Sequence, residues 1–124
     1  MTTQNTTENN AQSALILIEY QNDWLSPQGG INPTFQDREQ LETAITNSRK
    51  VLTEARRRNI EVVHVTMVLE PAYRALGKGK YGLRTMIPQY GSFLGDQAEF
   101  FSGFEPVDGE YVISERTGGS SAFA

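Results

Sequence analysis

The 124 residues contain no cysteine. Disulfides, thiolate metal sites and a cysteine nucleophile within these residues are therefore excluded. Histidine is almost as scarce. His64 is the only one, so a multi-histidine metal site is impossible and a serine–histidine pair has one candidate base. No apolar run approaches the ~18 residues that a membrane helix needs. The opening MTTQNTTENNAQ has neither a basic start nor an apolar stretch, so it does not read as a secretory signal. Asn5-Thr6-Thr7 fits a glycosylation sequon, which has no bearing without export. An excess of positive charge is lacking too: the formal net charge is -4, which argues against a nucleic-acid-binding face. What is left is a cytoplasmic protein of one modest domain. Its 38% hydrophobic residues suffice for a packed core.

Residues 1–12 read as a disordered polar tail, because Thr, Asn and Gln cannot bury area. SALILIE, residues 13–19, is a continuous apolar run, the pattern of a strand covered on both faces in a parallel sheet. LSPQGGINPTFQ, residues 25–36, is a loop by its prolines and Gly-Gly pair. From 37 to 58 the pattern turns helical, with Leu41, Ala44, Ile45, Ser48, Leu52 and Ala55 at three- and four-residue spacing. Asn59 is a candidate stop, behind Arg56, Arg57 and Arg58, which suit the negative end of a helix dipole. IEVVHVTMV, residues 60–68, is a second strand. Strand, helix and strand make a βαβ unit with parallel strands. Residues 69–92 read as irregular and functional or mobile, 93–101 as a short helix, and 110–114 as a third strand.

Glu19 stands where the first strand ends, and ligands of open α/β sheets bind outside the carboxyl ends of strands. It is either a general base or a solvated strand terminus. Asp23 suits local hydrogen bonds in a turn. Trp24 suits core packing, and His64, between Val63 and Val65, suits a hydrogen-bonded core position rather than catalysis. GKGKYG, residues 77–82, lacks the spacing of a phosphate loop. It reads as a cationic lid, where Lys78, Lys80 and Arg84 either meet an anionic substrate or remain solvated. Glu115 and Arg116 follow the third strand at the same sheet edge as Glu19. A cation there would hold Glu19 ionised.

ALILIEYQNDWLSPQGG resembles the opening of the isochorismatase-like cysteine hydrolases, the group that includes nicotinamidases and related amidohydrolases. VISERTGGSSAF resembles the segment of that family in which a strand leads to a basic residue and then Ser-Ala-Phe. The resemblance covers about residues 13–123. It implies an α/β fold: a parallel β-sheet with flanking helices, the three-layer Rossmann-like isochorismatase-like architecture, ending here after the third strand. It implies a catalytic group of carboxylate, cation and cysteine, in which the carboxylate deprotonates the thiol and the thiolate attacks an amide or ester carbon. By position Glu19 matches the acid and Arg116 the family's lysine, with Glu115 one residue away. Gln21, Asn22 and Trp24 match the rest of the opening signature. Gln21 and Trp24, with Tyr73 from the 69–92 segment, are the expected substrate-binding residues.

The departures from the family pattern are informative. The acid is Glu rather than Asp, and the cation is Arg rather than Lys, or is displaced by a residue, since Gly118-Gly119 suggests a small insertion. Val68 and Glu70 stand where a metal-binding Asp and His would be expected, so no zinc and no other cofactor is predicted. The family's cysteine belongs after a fourth strand. The expectation is therefore a fragment of a longer enzyme, a half-domain that pairs with another chain, or a truncation that forms a homo-oligomer. Acting on a small-molecule amide or ester-like substrate is the first reading; a binding or scaffold module without the chemistry is the alternative.

Overall fold

The computed structural model describes residues 12–116. Three parallel strands form one sheet in the order β1-β2-β3: β1 is Ala14–Ile18, β2 Glu61–Met67 and β3 Tyr111–Arg116. Two short helical pieces follow β1, the single turn α1 at Asn22–Leu25 and a 3-10 turn at Asn32–Thr34. The long helix α2, Arg38–Arg57, crosses back to β2. A helix α3, Leu83–Tyr90, and a 3-10 turn at Gly95–Ala98 lie between β2 and β3. The sequence-expected α/β fold with parallel strands and flanking helices is the observed one.

Local chemistry fixes the ends of α2. Asp37 Oδ1 accepts the Gln40 amide at 2.9 Å, an N-cap worth about 1 kcal/mol. At the other end the Asn59 amide donates to the Arg56 carbonyl and the Ile60 amide to the Ala55 carbonyl. This is the Schellman pattern, and Asn59 takes the left-handed conformation it requires, at φ 57°. Leu41, Ile45, Leu52 and Ala55 are buried on one stripe of the helix. They meet Leu17 of β1, Val62 of β2 and Phe104 in the first core cluster. A second cluster, Ile31, Met67, Leu69, Ile87 and Phe93, lies at the carboxyl end of β2.

β2, the middle strand, is the buried one, with Val65 fully enclosed. β1 differs from expectation. Of its run ALILI only Leu17 is buried, while Ile16 and Ile18 are 45% and 39% exposed. Leu15 and Leu17 face the α2 side of the sheet, and Ala14, Ile16 and Ile18 alternate onto the opposite face, where they stay exposed. The 69–92 segment also differs, because it contains α3. Gly82 and Gly91 frame that helix, Ile87 anchors it, and Pro88 sits inside its last turn. The helix expected at 93–101 shrinks to the 3-10 turn Gly95–Ala98, since Phe93 and Gly95 both have positive φ.

His64 is a core residue, as expected. Its Nε2 lies 2.8 Å from Glu110 Oε1. Arg56 grips the same carboxylate through Nε and Nη2, both at 2.9 Å. One largely buried cluster thus joins the last turn of α2, β2 and the residue before β3. Among the described residues no helix is long and apolar enough to cross a membrane.

Candidate active site

Glu19 is the first residue beyond β1. Its amide donates to the Val65 carbonyl at 2.7 Å, extending the β1–β2 ladder by one step. The chain then turns sharply, and Glu19 adopts φ 61°. A left-handed non-glycine residue costs about 1 kcal/mol, so the position is held by its surroundings. The carboxylate accepts the Trp24 indole Nε1–H at 3.0 Å. Strand end and α1 together therefore aim one carboxylate and one ring at the same space.

That space is a pocket of about 210 Å³ between the end of β1 and the first half of α2. Glu19, Tyr20, Trp24, Leu25, Phe35 and Ser48 contribute to it. Trp24 and Phe35 meet edge to face, with ring centroids 5.9 Å apart. Glu19 is the only carboxylate in the wall, and no lysine, arginine or histidine of the described residues joins it. The Tyr20 and Ser48 hydroxyls are hydrogen-bonded to each other at 2.9 Å.

Gln21 and Asp23 support this arrangement from behind. Gln21 is fully buried. Its Nε2 donates to the Met67 carbonyl at 2.7 Å and to the Ala98 carbonyl at 2.8 Å, and its Oε1 accepts the Met67 amide at 2.9 Å. The amide is thus committed to backbone, and it locks the end of β2 to the 95–98 turn beside α1. Asp23 is also fully buried, and its Oδ1 accepts the Gly30 amide at 3.2 Å. Burial pushes its carboxyl above the usual range, with the Ser92 hydroxyl and the Gly30 amide opposing. Gly29 cannot be replaced without conflict, because a Cβ there would fall 2.2 Å from the Asn22 carbonyl oxygen.

Of the sequence-predicted residues, the structure brings Glu19 and Trp24 into contact. Asn22 lies alongside, its Nδ2 donating to the Asp96 carbonyl at 2.9 Å. Tyr73 is placed elsewhere: its hydroxyl donates to the Ser92 carbonyl at 2.9 Å and its ring packs on the second core cluster. Burial first, and then the charge of Asp23, push its phenol upward. Lys78, Lys80 and Arg84 are exposed and do not line the pocket. Arg116 ends β3, but its side chain and that of Glu115 lie outside the described residues, as do 1–11 and 117–124. Glu70, at the position of the expected metal-binding histidine, caps its own turn, accepting the Ala72 and Arg74 amides at 2.9 and 2.6 Å. These contacts hold its carboxyl below the usual range. With Val68 apolar, the pair does not fit a metal, and the described residues hold no other cluster of three such groups.

Phe35, Tyr20 and Ser48 were not singled out as site residues by sequence reasoning. Ser48 carried a signal: it is a hydroxyl on the apolar stripe of α2, between Ile45 and Leu52.

Comparison with known proteins bears on the family and the fold. Residues 13–124 match the family model of the isochorismatase domain. No sequence among curated proteins matches the chain. Solved structures do. An isochorismatase from Pseudomonas putida KT2440 superposes with a TM-score of 0.54 at 23% identity, over 86% of this chain and 43% of that one. An isochorismatase family protein from Desulfovibrio vulgaris Hildenborough gives 0.57 at 22% identity, over 81% and 50%. A cysteine hydrolase from Pseudomonas syringae pv. phaseolicola 1448A gives 0.62 at 16% identity, over 86% and 47%. The chain spans about half the length of these structures.

Proposed function

This chain belongs to the isochorismatase-domain family, and from that premise we propose that it supplies the carboxylate side of a hydrolase site for a small amide or ester-like substrate. The observation that carries this reading is the placement of Glu19. It directly follows a parallel strand, in a strained backbone conformation, with its carboxylate hydrogen-bonded to Trp24 in the wall of an open, mostly apolar pocket.

In this reading Glu19 is the general base. It takes the proton of a thiol, and the thiolate adds to the carbonyl carbon of the substrate. The tetrahedral adduct expels the amine or alcohol, which leaves with that proton, and water then releases the acid from the thioester. The thiol comes from outside these 124 residues, which contain none. Arg116 supplies the cation that stabilises the charged pair. Trp24 orients the base and forms the substrate wall, and Gln21 fixes the strand end on which both depend.

The experiment is a Glu19→Gln substitution in a thiol-containing form of the enzyme. The expected result is a fall in kcat/KM of at least about a hundredfold, the usual scale for losing a proton-transfer group. Wild-type rates would remove Glu19 from the mechanism. The absence of cysteine also favours a second reading, a binding module that keeps the pocket without the chemistry. Saturable ligand binding with no turnover in any thiol-containing form would select that reading.

A further inference from the structure

Asp23 is a buried titratable group that the proposed chemistry leaves unused. It sits in α1, between Asn22 and Trp24, and is fully enclosed. Its hydrogen-bond supply is thin. Oδ1 accepts the Gly30 amide at 3.2 Å, and the same N–H is shared with Gln97 Oε1 at 3.2 Å. Oδ2 has no hydrogen-bond partner among the described residues. The Ser92 hydroxyl faces the carboxyl from beyond the end of α3, and it too is enclosed without a hydrogen bond. Backbone closes in from another side: a Cβ at Gly30 would lie 2.9 Å from the Tyr90 carbonyl oxygen and 3.1 Å from Asp23 Oδ1.

Half of a shared amide and one hydroxyl do not compensate an enclosed negative charge, which needs a cation or several donors. None of the ion pairs among the described residues includes Asp23. Its titratable neighbours do not supply a positive charge. Tyr73, from the segment after β2, commits its O–H to the Ser92 carbonyl. The 95–98 turn brings Gln97, an amide, while the acid of that turn, Asp96, is exposed. Glu19, bonded to Trp24, is a second carboxyl. One proton answers both unpartnered oxygens: the neutral acid accepts the Gly30 amide at Oδ1 and donates from Oδ2 to Ser92 Oγ. Burial acts in the same direction and raises the carboxyl above its ordinary value.

What this proton holds is α1. Trp24 donates to Glu19 Oε2 at 3.0 Å and packs on Phe35 and on Phe93, the residue after Ser92. We infer that Asp23 is a positioning residue of this site and works as the neutral acid, its proton pinning α1 to Ser92 so that Trp24 stays on the Glu19 carboxylate. Losing the proton leaves an uncompensated charge in the junction, and the junction loosens. The link to catalysis rests on the role proposed for Glu19. The proton on Asp23 and the setting of Trp24 are measured without turnover, so the two readings fail separately.

The test is a pH titration of the wild-type chain and of Asp23→Asn. Asparagine reproduces the neutral acid, with Oδ1 for the Gly30 amide and Nδ2–H for Ser92, but has no proton to lose. Carboxyl-carbon NMR of wild type labelled at aspartate is expected to show an Asp23 resonance that titrates above the ordinary value of ~4. Of the four aspartates only Asp23 is buried, so shielding from a soluble paramagnetic probe identifies its resonance even if the variant does not fold. Emission of Trp24, the only tryptophan, is expected to shift to longer wavelength with the same midpoint in wild type and to show no such step in Asp23→Asn. The unfolded chain loses the Asp23 proton first, near pH ~4. The contribution to stability is therefore complete below that pH and is lost as pH rises through the folded value. Wild type should lose ground to Asp23→Asn over that window, by at most about tenfold in the folding equilibrium per pH unit. An Asp23 carboxyl that titrates at or below the ordinary value overturns the inference. So does an emission that does not follow that titration, or a variant that loses ground to wild type as pH rises. Wild-type turnover in Glu19→Gln would instead remove the proposed chemistry and leave these readouts standing.

Discussion

Replacing Glu110 by glutamine keeps the shape of the side chain and removes one buried negative charge. That carboxylate, with its side chain 8% exposed, accepts two bonds from Arg56, one contact from His64 and the Val107 amide. The Arg56 guanidinium, above all, then His64 and the Val107 amide hold its pKa at about 2 against the usual 4.5, with burial opposing. At about 1.4 kcal/mol per pH unit this difference corresponds to about 3 kcal/mol of stability at neutral pH. Unfolding entropy of about 2.1 cal/mol/K per residue makes that about 11 °C in Tm for a chain of this size. A depressed carboxylate pKa stabilises the folded state above the unfolded value and ceases to do so as pH falls through the folded one. The contribution should therefore be complete above pH 5 and vanish between about pH 4.5 and 2. Urea unfolding of wild type and Glu110→Gln across that range isolates it, because other carboxylates titrate equally in both proteins. The expected gap is about 3 kcal/mol at pH 7, closing toward zero near pH 2. A gap under about 1 kcal/mol at pH 7, or one that does not change with pH, would refute the reasoning.

Further outcomes follow from other parts of the fold. Asn59→Gly should raise stability by about 0.5 kcal/mol in thermal unfolding, since Asn59 already sits at φ 57° in a Schellman turn; a loss would contradict that assignment. Gln21→Leu should cost about 2–3 kcal/mol, because the Met67 amide and the Met67 and Ala98 carbonyls lose their buried partner. Amide hydrogen exchange at Met67 should quicken in the same variant, and unchanged protection would show that the bond is dispensable. Leu52→Ala, at a position 2% exposed in the first core cluster, should cost about 3 kcal/mol by urea unfolding.

The sequence carried the βαβ frame well. Asp37 and Asn59 mark the ends of α2 in one-dimensional chemistry, and the strands fall within a residue or two of their expected bounds, β3 running two residues longer at its end. The cover of β1 was not legible. ALILI has the same appearance whether both faces are covered or one, and only the packing of α2 against the Leu15 and Leu17 face shows that Ile16 and Ile18 are left exposed. Helix α3 was hidden by Pro88 and by the glycines around it, although Leu83, Met86, Ile87 and Tyr90 have helical spacing. In the site, Glu19 and Trp24 were legible because they lie five residues apart in one motif. Phe35 and Ser48 were not, because a loop and a helix remote in sequence bring them there. The role of Gln21 required coordinates: its partners, Met67 and Ala98, are 46 and 77 residues away.

The central claim is that Glu19 is a base awaiting a thiol. The direct measurement is hydrolysis of a small activated ester by the purified, mass-verified chain, with and without an added small thiol, in wild type and Glu19→Gln. The account predicts no turnover without the thiol, acceleration beyond that of thiol in buffer when it is added, and loss of that acceleration in Glu19→Gln. Hydrolysis without any thiol, or equal thiol-dependent rates in the two proteins, would contradict it.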